Sequence, residues 1–116
     1  MREIKFRGKD VDDKWRYGYL LKDKKLFYIS VPRTINGVVN YVIGDYTTIG
    51  QYTGLKDKNG VEIYEGDIIE CTGDTYTIVW DVVAFKLLCD NDLINQLDDI
   101  ADISNVIGNI YDKEMK

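Results

Sequence analysis

Histidine is absent from this 116-residue chain. The commonest general base and metal ligand is therefore missing. Ser30 and Ser104 are the only serines, and neither sits in a G-x-S-x-G turn. No P-loop and no G-x-G-x-x-G run occurs, so a backbone cradle for a nucleotide's phosphates is not expected. Cys71 and Cys89 lack C-x-x-C spacing and read as packed thiols in preference to a disulfide or a metal site. Proline occurs once, and with an ordinary charge content this argues against disorder. No apolar run approaches the ~20 residues needed to span a bilayer. Residues Met1 to Arg7 alternate charged and apolar types where a signal peptide needs an unbroken apolar stretch. A cytoplasmic location is the expectation, and no cofactor is implied.

What the chain does have is short β-type alternation. Ile4-Lys5-Phe6-Arg7, Trp15 to Leu21, Leu26 to Val31 and Val38 to Ile43 read as strands. So do Asp67 to Thr72, Thr75 to Trp80, Ala84 to Cys89 and Asn105 to Tyr111. Asn36-Gly37 and Asn59-Gly60 each suit a type I′ hairpin, in which both central residues take positive φ. Asp92 to Ala101 is the helical candidate: Leu93, Leu97 and Ile100 recur at i, i+4 and i+7, with Asp92 as N-cap. Ile43-Gly44-Asp45-Tyr46 and Ile49-Gly50-Gln51-Tyr52 echo each other as a recurring strand-and-bend, not a solenoid repeat. The predicted fold is mainly β, built from short-strand hairpins, with an SH3-like small barrel in the C-terminal half and one short helix. Residues 1–65 form an N-terminal hairpin region and residues 66–116 the barrel region, expected as one compact unit.

Charge is unevenly spread. Residues 1–33 hold ten basic and five acidic side chains, whereas residues 34–116 hold five basic and fifteen acidic. Three readings follow: solvated strand faces, contact between the unlike halves within one chain or between copies, or attraction of nucleic acid by the basic third. The residues placed to make such contacts are Lys5, Arg7, Lys14, Trp15, Arg16 and Tyr17, with Lys22, Lys24 and Lys25. Trp15, Tyr17 and Tyr19 share one face of a strand between cations, which suits base stacking, although one-faced aromatics are more often core.

Carboxylates at Glu62, Glu65 and Asp67 have a spacing that suits a divalent cation. Asp57-Lys58-Asn59-Gly60 looks like part of a calcium loop. Setting Asp57 and Asn59 at loop positions three and five places Leu55 at the first and Gly66 at the twelfth, where oxygen ligands are required. Turn chemistry is the better explanation. Asp98-Asp99, with Asp102 nearby, reads as a solvated helix face, because adjacent helical residues point about 100° apart.

Three segments carry a resemblance: Arg2-Glu3-Ile4-Lys5-Phe6-Arg7, the run from Thr48 to Ile69, and Val106-Ile107-Gly108-Asn109-Ile110-Tyr111. Together, in this order, the chain resembles the YopX family, small proteins of phages and prophages of Gram-positive bacteria. The resemblance implies a mostly β fold with an SH3-like barrel, homo-oligomers, and a setting inside a bacterial cell. It brings no activity and no catalytic residues. The expectation is a non-enzymatic phage accessory protein that self-assembles and acts through contacts with an unknown phage or host protein. The alternative is a nucleic-acid-binding module using the basic N-terminal third.

Overall fold

A computed structural model describes residues 4–33, 37–81, 84–89, 92–94 and 97–112. Over these the chain is mainly β, with two antiparallel sheets and one short helix. It divides into two compact units, one ending at Tyr52 and the other starting at Thr53. The sequence reading placed the division after residue 65, thirteen residues further on.

The first unit contains β1 (Phe6–Asp10), β2 (Trp15–Asp23), β3 (Leu26–Arg33) and most of β4 (Gly37–Lys56). Two of these strands are used twice. The start of β4 lies against β3, with Val42 opposite Tyr28 and Val38 opposite Pro32. Its middle lies against β1, with Ile43 opposite Asp10 and Gln51 opposite Phe6. The residues of β2 up to Gly18 pair with β1, and those from Tyr19 pair with β3. The pairings β1–β2–β3–β4–β1 thus close on themselves. The switch in β2 needs glycine: a Cβ on Gly18 would stand 2.3 Å from the Ser30 carbonyl oxygen. Ile29, Ile43 and Tyr52 are buried in this unit.

The pairing of β1 with β4 is interrupted. Arg7 faces Gly50 but Lys9 faces Asp45, so extra β4 residues bulge out. Thr48 closes the bulge. Its hydroxyl donates to the Asp45 carbonyl at 2.7 Å and accepts from the Lys9 N–H at 2.9 Å. The two echoing segments of the sequence, both in β4, flank this bulge, and both pair with β1.

The second unit adds β5 (Glu62–Tyr64), β6 (Asp67–Cys71), β7 (Asp74–Asp81), β8 (Ala84–Cys89) and β9 (Asp92–Ile94). Helix α1 (Leu97–Ile100), a 3-10 turn (Ala101–Ile103) and β10 (Asn105–Asn109) complete it. The sheet order is β10-β6-β7-β8-β9. Alternate residues Ile69, Ile78 and Leu87 join Ile63, Leu97 and Ala101 in the core. Each of the fully buried aliphatic side chains contributes about 1.5–3 kcal/mol of transfer free energy.

Two local expectations are corrected. The ten-residue helix from Asp92 to Ala101 is instead strand β9 followed by α1 and the 3-10 turn. Asp92 is no N-cap, because it pairs with Cys89, and Leu93 pairs with Leu88. Only Leu97 and Ala101, four residues apart, keep the helical spacing and are buried. The Asn59-Gly60 turn is also not type I′: Gly60 has φ 82°, but Asn59 is not among the residues with positive φ. A two-residue turn with both φ values positive occurs instead at Thr72 (52°) and Gly73 (93°), between β6 and β7. The Asn36 half of the other predicted turn lies outside the described residues.

Candidate functional site

The acidic motif residues are occupied in holding turns. Asp57 is 5% exposed. Its Oδ1 accepts the N–H groups of Asn59 and Val61 at 2.8 and 2.9 Å, and its Oδ2 accepts the Val106 N–H at 2.9 Å. Burial pushes this carboxyl up, but the N–H groups of Val106, Val61 and Asn59 outweigh it and hold the group below its ordinary value of 3.8. Asp67 is buried too and accepts the Tyr64 N–H at 2.7 Å, while Glu62 accepts the Tyr64 hydroxyl at 3.0 Å. Among the described residues no group of three His, Cys, Asp or Glu is placed to hold a metal ion. Cys71 is buried and Cys89 half-buried, and neither is in a disulfide.

The same turn is built a second time, in the first unit, around Asp10. The Asp10 N–H donates to the Lys14 carbonyl as that of Asp57 does to Val61. The Asp13 N–H returns to the Asp10 carbonyl as that of Gly60 does to Asp57. Oδ1 of Asp10 accepts the N–H groups two and four residues on, at 2.8 and 3.0 Å. The fourth position has positive φ in both turns, 63° at Asp13 and 82° at Gly60. Each aspartate then spends its second oxygen on a partner beyond its turn, which is Val106 for Asp57 and Arg16 for Asp10.

That last bond decides the role of one basic candidate. Arg16 Nε lies 2.7 Å from Asp10 Oδ2, and its guanidinium stacks 3.8 Å from the centre of the Tyr41 ring. Burial pushes the Asp10 carboxyl up, but the bonds from Arg16, Lys14 and Asp12 hold it below 3.8. Arg7 is 5% exposed and lies 4.6 Å from the centre of the Trp15 ring, with Lys9 at 5.4 Å from the same ring. Arg7, Trp15 and Arg16 are therefore parts of the first unit's own packing.

The remaining candidates face outward or lie at the rim. Lys22, Lys24 and Lys25 are brought together at the turn between β2 and β3, with Lys22 over the Phe27 ring at 5.5 Å. Lys14 is exposed in the turn after β1. Lys5 is half-buried over the Tyr52 ring at 5.4 Å. Tyr17 and Tyr19 are 44% and 57% exposed, which corrects the reading of their face as core. With Ile4, Lys5, Gly18 and Pro32 they line an open depression of about 130 Å³.

Residue-by-residue candidates missed the surface to which these two tyrosines belong. Register places Tyr19 and Leu21 of β2 beside Ser30 and Tyr28 of β3, and these beside Asn40 and Val42 of β4. The opposite face carries Leu20, Ile29 and Tyr41, with Ile29 fully buried. Both faces of this three-stranded segment are thus rich in apolar side chains, and one of them, which also carries Ser30 and Asn40, is exposed. The sequence signal was the failure of strict alternation in Tyr19-Leu20-Leu21, Leu26-Phe27-Tyr28-Ile29 and Tyr41-Val42-Ile43.

The fold and this surface define a class of small, mainly β proteins with aspartate-anchored turns and an outward apolar sheet face. The chain belongs to the YopX family, whose model, described as YopX protein, matches residues 5–114. Its fold is similar to that of protein EF1440 from Enterococcus faecalis, with a TM-score of 0.59 and 25% sequence identity over 95% of this chain and 94% of that one. No curated protein matches the chain.

Proposed function

We propose that this chain is a non-enzymatic accessory protein of a phage or prophage, active inside the bacterial cell, that assembles with copies of itself and acts through protein contacts. Membership of the YopX family supports the phage setting. The observation that carries the assembly reading is the opposite charge of the two units. Residues 1–52 hold ten basic and six acidic side chains, and residues 53–116 hold five and fourteen. Unlike charges on separate units favour contact between copies and set its register. The non-enzymatic reading is supported by the engagement of Asp57, Asp67 and Glu62 in backbone and tyrosine hydrogen bonds. The second unit is read as an SH3-like barrel, since a helical turn precedes the last strand and that strand returns beside the first of the sheet.

Nucleic-acid binding ranks second. Its specific support is the exposure of Tyr17 beside Lys5, a stacking ring next to a cation. Against it, Arg7, Trp15 and Arg16 are committed to internal partners.

Size exclusion with light scattering, at low and high salt, tests the reading. A discrete multiple of the 13.4 kDa chain mass that falls as salt rises is expected. A monomer at tens of micromolar in both conditions overturns it. A labelled single strand bound with a steep salt dependence would move the assignment to the nucleic-acid reading.

A further inference from the structure

We propose that the outward face of the β2–β3–β4 sheet receives the acidic second unit of another copy of this chain. The inference rests on the self-assembly reading and specifies its contact surface.

The face is mostly apolar, broad and open, with Ser30 and Asn40 as the polar members of its middle row. Tyr17, Tyr19, Leu21, Leu26 and Val38 are between 44% and 57% exposed. Tyr28 and Val42 lie half-buried between them. The one charge that the described register places on this face is Asp23, beside Leu26 at the end of the hairpin. The mutually paired parts of the three strands, residues 19–23, 26–33 and 37–42, with strands about 4.8 Å apart and residues rising about 3.3 Å, span roughly 300 Å². This is about the size of the largest apolar patch on a typical folded monomer, roughly 300–600 Å², which is often functional. A stable protein interface needs about 800 Å² per partner, with an apolar centre and a polar rim. The face supplies such a centre, and the lysines supply part of a rim.

The depression beside Tyr17 and Tyr19 narrows the class of occupant. Its volume of about 130 Å³ is well below the roughly 300–1,000 Å³ of small-molecule sites. It suits one side chain of a protein partner. Gly18 contributes to its wall, and any larger residue there is excluded by the Ser30 carbonyl.

Charge selects the partner. The rim is basic at both ends, with Lys24 and Lys25 at the hairpin turn and Lys5 beside Tyr17; Lys22 points to the opposite face, over Phe27. Two copies meeting face to face would bring lysines together in either orientation, which is unfavourable. The second unit offers the complement. It carries fourteen acidic side chains against five basic ones. Exposed Asp92 adjoins exposed Leu93, and exposed Asp102 adjoins exposed Ile103. Joining a first unit to another copy's second unit is a heterologous contact, which closes into a ring or extends as a filament.

The test uses two variants of the full chain. Tyr19→Glu/Leu21→Glu puts charge on the apolar face at exposed positions. Asp98→Lys/Asp99→Lys/Asp102→Lys reverses charge on the second unit, also at exposed positions. Thermal melting by circular dichroism checks that both fold, and sedimentation velocity reads the mass. Each variant alone is expected to weaken assembly at least tenfold. An equimolar mixture is expected to form a 1:1 dimer and stop there, because one copy retains only the face and the other only the acidic unit. A face variant that assembles like the wild type overturns the inference while leaving self-assembly intact, as does a mixture of folded variants that stays monomeric. A wild-type monomer overturns the self-assembly reading itself. Lys24→Glu/Lys25→Glu, which alters only exposed positions of the hairpin turn, provides the second check. It should weaken assembly and regain it when mixed with the Asp-to-Lys variant, and assembly unchanged from wild type would count against the basic rim.

Discussion

Asp57→Asn replaces one carboxylate oxygen with an amide and tests how the central motif is held together. In the native chain Oδ1 accepts two N–H groups and Oδ2 accepts the Val106 N–H at 2.9 Å. An asparagine can keep the first pair through its carbonyl, but its NH₂ then faces another donor at Val106. Hydrogen bonds to a charged group contribute about 1.5–3 kcal/mol, and a buried donor left unmet costs about 1–3 kcal/mol. The expected loss is about 2–3 kcal/mol for Asp57→Asn and about 3–4 kcal/mol for Asp57→Ala, which forfeits all three bonds. Urea unfolding followed by circular dichroism measures it as a lower midpoint at unchanged slope. The pH dependence gives a second reading. The folded carboxyl titrates below its ordinary value of 3.8. Its contribution is therefore fully present above about pH 4 and is lost as pH falls through the lower folded value. The gap between wild type and Asp57→Asn should accordingly shrink on acidification from pH 5 to pH 2. A gap under about 0.5 kcal/mol at pH 7, within the usual range for a surface substitution, or one that does not change with pH, would refute the reasoning.

Asp13→Gly should stabilise the chain by about 0.5 kcal/mol in the same unfolding assay, because Asp13 occupies with φ 63° the position that Gly60 fills in the matching turn. The Lys9–Asp13 ion pair lost is 3.6 Å long and 83% exposed on the aspartate, so little opposes the gain. Thr72→Asn should raise the urea midpoint, since it converts a β-branched residue at φ 52° into the Asn-Gly pair that two-residue turns prefer. Gly18→Ala should cost about 3 kcal/mol or more, because its Cβ would meet backbone at 2.3 Å where no rotamer can relieve it. A wild-type melting curve for that variant would show that β2 can change partners without glycine.

Most strands were legible because the pleat sends successive side chains to opposite faces, and that periodicity is written locally. Tyr76, Ile78 and Trp80 alternate on β7, and Ile78 is fully buried. The segment from Asp92 to Ala101 was misread for an equally local reason: Leu93 fits a helical stripe by spacing, but β8 offers it a strand neighbour at Leu88. Pairing with an existing edge overrode the weak preference of a short window. The aspartate turns were half-legible. Asp57-Lys58-Asn59-Gly60 was read as turn chemistry, but the reach of Asp57 to Val106, 49 residues away, has no local signature. Of the nine contact candidates, Arg7, Trp15 and Arg16 turned inward because Asp10, Tyr41 and each other lay within reach after folding.

The sequence by itself determined that this is a mainly β chain of hairpins, with a basic beginning and an acidic remainder. Those properties reside in composition, in two-residue periodicity and in turn residues, which act over a few positions. Tertiary structure alone decided that β2 and β4 each serve two neighbours and that Tyr17 and Tyr19 face outward. A strand apolar on both sides carries no mark of which side is covered. That choice is made when β1 to β4 close on one another and Ile29, on the opposite face from Tyr28, takes the inside.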